Sequence, residues 1–348
     1  MKIDLICNDG SPIGVTPDLI YTRGVGGAEL SMMSLMKVLA RRGHNVRVFN
    51  DPLPQARVFD GVEYANRATF SQEEPRDVTI IFRSPNRMVS GRSGAERLLW
   101  WSCDQFTVGD FRVLSEMVDY VICISPHHRA YFEQQYQIPK EKIGVIDLGV
   151  NIEDYREQVV ERVPGRLIYC SVPDRGLHEL RAAWPKIKDI APHASLVITA
   201  DYTLWGGAAM NAQFRLAWAG LPDIHFLGNV PRHELVRRQL EADVHAYPCI
   251  YDELFCISAA ECQVSGALPI TSTAGALRTT NELGITIPGD PRMEHWQKAF
   301  AVRLGDLITT ERQFLEKRRE LMIFGAKRRF DWNVIAEKWE RVFEGENV

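Results

Sequence analysis

The sequence predicts an α/β protein built from two Rossmann-like domains. Three observations carry that expectation. Short apolar runs closed by Asn, Asp or Gly alternate with stretches of helical period, the pattern of parallel strands covered by helices on both faces. A polar stretch over residues 150–164 interrupts the alternation once, and it then begins again. The 348 residues also exceed the size at which a single core usually stops growing.

In the first half, "KIDLIC" (residues 2–7) reads as a buried strand closed by Asn8, Asp9 and Gly10. "GGAELSMMSLMKVLARRG" follows as a helix, with Leu30, Met33, Leu35, Met36, Leu39 and Ala40 on one stripe and Gly43 at its end. "NVRVFN", "VTIIF" (78–82), "RLLWWS" (97–102) and "YVICIS" (120–125) are strands. "PHHRAYFEQQY" is a helix entered through Pro126, and "KIGVIDLG" is a strand ending at Gly149. "NIEDYREQVVERVPG" loses the strand period, as a linker would. In the second half, "RLIYCS", "SLVITA", "IHFLGNV", "DVHAYP" and "LPITS" read as strands. They alternate with helices at "GLHELRAAWPKIKDIA", whose later part is entered through Pro185, at "PRHELVRRQLEA" and at "FCISAAECQVSG". The tail "FDWNVIAEKWERVFEG" puts Trp332, Ile335, Trp339, Val342 and Phe343 on one helical face that must dock on something.

Composition is that of an ordinary globular chain, 45% hydrophobic and 25% charged. A net charge of −4 indicates no whole-protein nucleic-acid footprint. Two short segments are locally basic, residues 41–47 and 317–330. Solvated helix faces are the plain reading, and contact with an anionic membrane surface or substrate is the sharper one. Seven cysteines, odd in number and with no CxxC pair, read as reduced, mostly buried thiols in a cytoplasmic protein. Asp4 and Asp9 interrupt what would be the apolar core of a secretory signal, and no apolar run is long enough to span a bilayer. The histidines show no zinc-finger or zincin spacing, and His127 and His128 read as surface residues.

Three constellations point to chemistry. In "YDELFCISAAE", Glu253 precedes a helix and Glu261 lies about two turns into it. A strand leads into this loop, and in open α/β sheets ligands bind at the carboxyl ends of strands. The free N–H groups of a helix N-terminus suit a phosphate, whereas carboxylates suit hydroxyls. One carboxylate on a ribose and the other on a sugar, with a diphosphate between, accounts for both. The alternative is a solvated loop Glu253 and a surface Glu261. In "RGVGGAELS", Gly24, Gly26 and Gly27 precede a helix after the first strand, an arrangement that can cradle a phosphate, while Glu29 complements the helix dipole. In "CSVPDRGLHEL", a strand ends at Ser171 and Arg175 precedes a helix, where a fixed positive charge serves a diphosphate or simply faces solvent.

The order GGAE, PDRG, FLGNVPRHEL, the E-x7-E of "ELFCISAAE" and "SGALPITSTAG" resembles glycosyltransferase family 4, retaining enzymes of the GT-B fold. "SPHHRAYFEQQYQIPKEKIGVIDLGVNIEDY" is similar to that family's first-domain ending, and the tail to its returning last helix. The resemblance implies two Rossmann-like domains facing across a cleft: residues 1–155 on the acceptor side, 156–325 on the donor side, and a helix over 326–348 packing back on the first domain. It implies a nucleotide-diphosphate sugar donor, a hydroxyl acceptor and no essential metal or other cofactor. Glu261 would bind the ribose, Glu253 the donor sugar, and Arg175 would replace the family's usual lysine on the diphosphate. Gly26 and Gly27 would border the diphosphate and the acceptor from the other domain, Val230 of "GNVP" would lie by the base, and Ser171 with the N–H groups of Leu254 and Phe255 would assist the phosphates.

Two departures stand out. The family's arginine ahead of that lysine has no counterpart in "IYCSVPD". Its histidine after the strand "LLWWS" is replaced by Cys103 and Asp104, so Asp104 either takes part of that catalytic role or caps the structure. The acceptor is expected in loops from Asp9 to Gly27 and around Asp104, with domain closure aligning the reactants. The departing phosphate itself would take the acceptor's proton. The rivals are a non-catalytic sugar-nucleotide-binding protein and another GT-B enzyme such as an epimerase. The expected place is the cytoplasm, with peripheral contact at the inner membrane face as the sharper alternative. The sequence sets neither the sugar, the base, the acceptor nor the oligomeric state.

Overall fold

A computed structural model describes residues 1–7, 15–50, 55–83, 89–105 and 109–348, so Asp9 and the residues after it up to 14 lie outside the described residues. The chain divides into two compact units. The first holds Met1–Pro17, Ala28–Gly149 and Trp332–Val348, and the second holds Asp18–Gly27 and Val150–Asp331.

The first unit is built on an eight-stranded sheet of β1 (Lys2–Cys7), β2 (Asn45–Asn50), β3 (Arg57–Phe59), β4 (Val62–Asn66), β5 (Arg76–Phe82), β6 (Ala95–Trp101), β7 (Tyr120–Cys123) and β8 (Ile143–Val145). Their order is β3-β4-β2-β1-β5-β6-β7-β8, parallel except for the β3–β4 pair. The strand order reverses between β1 and β5, a topological switch point. Ile3, Leu5 and Ile6 of β1 are buried, as is Asp4. That carboxylate is tolerated because Arg47 grips it through two bonds of 2.8 and 2.7 Å and Arg76 lies 2.9 Å away. Helix α1 (Gly27–Arg41) buries Met32, Met33, Leu35, Met36 and Leu39. α2 (Phe111–Met117) and α3 (Pro126–Gln135) complete the sequential helices of the unit.

The second unit has a six-stranded parallel sheet: β9 (Arg166–Tyr169), β10 (Ser195–Ile198), β11 (Ile224–Phe226), β12 (Val244–Tyr247), β13 (Leu268–Ser272) and β14 (Ile285–Ile287). The order β11-β10-β9-β12-β13-β14 puts its switch point between β9 and β12. The helices are α4 (Ile152–Arg156), α5 (Leu177–Ile190), α6 (Met210–Leu216), α7 (Arg232–Glu241), α8 (Ile257–Ser265), α9 (Leu277–Thr280), α10 (Glu294–Thr309) and α11 (Arg312–Arg329). Leu180, Trp184 and Ile187 of α5 and Trp296, Phe300 and Leu304 of α10 join one large core.

Several details differ from the sequence reading. The division falls between Gly149 and Val150, not at 155/156. Residues 150–155 pack with the second unit, because the Val150 amide donates to the Phe330 carbonyl (2.7 Å) and Tyr155 donates to Gln239 (2.6 Å). Part of the expected linker is thus the short helix α4. The returning segment starts at Trp332 rather than 326, since α11 stays with the second unit through the buried Arg319–Asp243 pair. α12 (Trp332–Phe343) packs in the first unit: Gly149 leaves room for the Trp332 ring, and Trp339 lies 5.1 Å from Trp101. α5 runs unbroken through Pro185, held by the buried residues around it, so tertiary packing overrides the local breaker.

Candidate functional site

The loops that follow β9 and β12 meet at the switch point of the second unit. After β9 come Cys170, Ser171 and a single 3-10 turn over Pro173–Arg175. Gly176 then has φ +141°, and a Cβ there would lie 2.2 Å from the Pro248 carbonyl, so only glycine lets the two loops touch. The Ile250 amide donates to the Arg175 carbonyl at 3.0 Å and fixes the pair.

Tyr247 ends β12 and is buried. Its hydroxyl donates to Glu253 Oε1 at 2.5 Å and lies 3.3 Å from Ser171 Oγ. Glu253 is therefore no solvated loop residue. Burial raises its carboxyl pKa above the ordinary range, against the pull of the Arg175 cation and the Tyr247 bond. Arg175 stacks over the Tyr251 ring, 3.2 Å from its centroid. Gly275, at φ +53°, lets the next loop close on the Glu253 backbone, where the Ala276 amide donates to the Glu253 carbonyl at 2.7 Å. Leu254 and Phe255 point into the core, and the helix starts at Ile257, two residues later than the sequence suggests. Cys256 caps it at φ +74°, an uncommon conformation for a residue with a side chain.

Glu261 is 4% exposed, so it is not a surface position. One of its oxygens takes Arg232 Nη1 at 2.5 Å and the other takes Gln239 Nε2 at 3.1 Å. Burial raises its pKa while Arg232 opposes the rise. Arg232 also binds Asp154 at 2.8 Å. Beside this network, Cys170 and Cys262 place their sulfurs 3.8 Å apart, with His245 next to both. The Cys262 bond draws the Cys170 thiol well below its usual range against the effect of burial, and burial pushes Cys262 up.

The glycine loop belongs to this second unit and not, as the sequence reading had it, to the first domain, because Gly24 and Gly27 fit closely against it. A Cβ at Gly24 would strike Asn229 Oδ1 and come within 3.0 Å of the Val230 carbonyl, while one at Gly27 would meet Ile257 of α8 at 2.5 Å. Gly26 lies between them, half-buried. The structure thus brings Ser171, Arg175, Glu253, Leu254 and Phe255 to one place. It sets Glu261 in an ionic network alongside, and places Gly27 by the start of α8 and Val230 by Gly24.

Asp104 lies in the first unit, after β6. Arg83, which follows β5 at φ +67°, holds both its oxygens at 3.0 Å and also binds Glu29 Oε1 at 2.6 Å. His128 is fully buried, not a surface residue, because its ring turns back on the chain ahead of α3. The basic segments are largely structural. Arg42 binds Glu340, Arg47 binds Asp4, Arg319 binds Asp243, and Arg318 donates to the carbonyls of Leu283 and Gly284. Among the described residues no helix is long and apolar enough to cross a membrane.

Sequence reasoning missed Tyr247, Arg232, Gln239 and Arg83. Arg232 carried a signal: a cation in the first turn of a helix opposes the dipole and implies an acidic partner elsewhere.

No family profile matches the chain. The phosphatidyl-myo-inositol mannosyltransferases of Mycobacterium tuberculosis and Mycobacterium bovis are 28% identical to it over 179 residues, 49% of this chain. That match spans only 44% of the length of those relatives. Among solved structures, the Anabaena HepE complex with UDP-glucose covers 99% of this chain and 100% of its own, at TM-score 0.70 and 17% identity. Sucrose-phosphate synthase of Thermosynechococcus elongatus gives 0.71 and 17%, covering 99% of this chain and 98% of its own. A glycosyltransferase of Rickettsia africae gives 0.74 and 15%, covering 99% and 97%. The chain has the GT-B fold and resembles the family 4 glycosyltransferases.

Proposed function

We propose that this chain is a retaining glycosyltransferase that moves a sugar from a nucleotide-diphosphate sugar to an acceptor hydroxyl, with no essential metal at the reacting centre. The observation that carries the reading is Glu253. Its carboxylate is held by Tyr247, lies within electrostatic reach of Arg175, and stands just ahead of the N-terminus of α8. A cation and a helix N-terminus together suit a diphosphate, and a held carboxylate suits the hydroxyls of a sugar.

In this reading, Arg175 and the first N–H groups of α8, aided by Ser171 and the amides of Leu254 and Phe255, take up the charge that grows on the diphosphate as its bond to the anomeric carbon breaks. Glu253 orients the donor sugar. Glu261 accepts the ribose hydroxyls on the lone pairs that Arg232 and Gln239 leave, since an ionised carboxylate has about four such sites. Gly26 and Gly27 border the diphosphate, and Val230 lies by the base. Asp104, its charge balanced by Arg83, accepts a hydrogen bond from the acceptor. The departing phosphate oxygen takes the acceptor's proton.

Calorimetric titration of the full chain with UDP, GDP and ADP and their glucose or mannose conjugates tests the donor site. One nucleotide is expected to bind. Arg175→Ala should weaken it by about 1.5–3 kcal/mol, the usual loss for a charge-assisted hydrogen bond. Glu261→Ala should weaken the nucleotide and its sugar conjugate alike. Full affinity in Arg175→Ala, or no binding at all, overturns the reading. A second reading, a nucleotide-sugar-binding protein without turnover, draws on the locked Asp104 and on the absence of a second cation in "IYCSVPD". Chromatography of donor incubated with candidate acceptors separates the two, because only the transferase releases nucleoside diphosphate.

A further inference from the structure

We propose that Cys170, His245 and Cys262 form a site for a thiophilic divalent cation, zinc(II), with both thiols bound as thiolates. Their three ligand atoms all lie within 4.8 Å of one another. Cys170 directly follows β9, His245 stands on the neighbouring β12, and Cys262 projects from α8. The two sulfurs are 3.8 Å apart. Two thiolates at about 2.3 Å from one tetrahedral zinc ion stand about 3.8 Å apart, so the spacing requires no rearrangement.

His245 is the independent observation. It is 0% exposed, and its ring nitrogens find no hydrogen bond to nitrogen or oxygen among the described residues, only the Cys170 thiol beside them. A buried imidazole that meets only a thiol, a weak hydrogen-bonding group, is poorly compensated for its desolvation. A metal ion at the cluster takes up one of those nitrogens.

Charge selects the class of ion. Two thiolates and a neutral imidazole carry −2, which a divalent ion neutralises inside the fold. A monovalent copper ion would leave a net negative site next to the carboxylate of Glu261. Binding releases two thiol protons to solvent and changes no oxidation state. Cys170 is half-buried, which provides the way in, and three protein ligands leave a fourth position for solvent or another ligand. Gln239 couples the cluster to its surroundings: its amide lies 3.9 Å from Cys170 Sγ and 3.1 Å from Glu261 Oε2. Cys170 and Cys262 are 92 positions apart, so no spacing motif announces the set.

The test titrates the full-length, phosphine-reduced protein with cobalt(II). One equivalent should give thiolate-to-cobalt charge transfer and the visible bands of tetrahedral cobalt, and zinc(II) should displace it. Cys170→Ser, Cys262→Ser and His245→Phe should each abolish the bands, with circular dichroism confirming the fold. Cys123→Ser, which removes a buried thiol elsewhere, should leave them unchanged. Loss of an outer-shell partner alone costs about ten- to a hundredfold in metal affinity, so loss of a ligand should exceed roughly a hundredfold in competition with a chromophoric chelator. Wild-type protein that gives no such bands, or bands that persist in Cys170→Ser and Cys262→Ser, overturns the proposal. Neither result bears on nucleotide binding.

Discussion

Arg232 shows how much one residue can organise in this chain. Its guanidinium is nearly enclosed and meets Glu261 at 2.5 Å, Asp154 at 2.8 Å and the hydroxyl of Tyr155. It therefore ties α4 and α8 to the start of α7, and it fixes the carboxylate assigned to the ribose. Removing one partner of a buried pair leaves the other charged and desolvated. Arg232→Met should cost about 3–5 kcal/mol in urea unfolding of the second unit. Adding Glu261→Gln should recover part of that loss, because the amide needs no cation. If Arg232→Met alone were near neutral, Glu261 would be carried by Gln239 and solvent rather than by the ion pair. Glu253 and Glu261 were legible as a pair from their spacing. Their partners were not, because Tyr247 and Gln239 lie on other elements and carry no mark of their pairing in sequence.

At the scale of elements, the start of α3 shows a local device that the sequence displayed in plain terms. Ser125 Oγ accepts from the His128 amide at 3.0 Å, Pro126 opens the helix, and His128 Nδ1 accepts from the Ile124 amide at 3.3 Å. The pair resembles a capping box with histidine at N3, except that the returning bond reaches the Ile124 amide, one residue ahead of the Ser125 cap. The ring packs edge-on to Phe132 at 4.4 Å. Only the neutral ring can accept that bond, and burial pulls the pKa down to about 3, with the Asp104 backbone opposing and His127 adding to the fall. In the unfolded chain the ring titrates near 6.5. Below that pH the unfolded state binds a proton that the folded state refuses, so stability is full above about pH 6.5 and declines as pH falls toward 3. Between pH 7 and 5 the loss from this group should be about 2 kcal/mol in unfolding of the first unit. His128→Gln, which keeps an acceptor, should remove that slope, and an identical decline in the variant would exclude His128 as its source. Other elements were legible but unread. Asp60 and Gly61, both at positive φ, make the tight turn between β3 and β4, and Asp-Gly between two apolar runs is a strong hairpin signal. Trp296, Phe300, Leu304 and Ile308 recur every four residues along α10.

On the scale of the whole molecule, the contacts do not follow the chain in order. Residues 18–27 belong with the second unit, and α12 belongs with the first although the whole second unit intervenes in sequence. The amphipathic tail foretold that α12 must dock, and it does so through Trp339 against Trp101 and through Glu340. That carboxyl is pulled down to about 2, chiefly by its bond to Arg42. The residues 18–27 were not legible in the same way, since what assigns them is the close fit of Gly24 to Asn229 and Val230, a contact across 205 positions. Two units, each with its own buried residues, should unfold as two calorimetric transitions. A chain ending at Asp331 removes the buried Trp332, Ile335, Trp339, Val342 and Phe343 from the first unit. It should lower that unit's transition steeply, since losing one buried aromatic typically costs about 3–5 kcal/mol, and leave the other in place. Nucleotide assigned to the second unit should do the reverse, raising its transition by RT ln(1 + [L]/Kd) and leaving the first where it was. A single transition that moved as one under both treatments would mean that the two cores melt as a cooperative whole, and that α12 supports both.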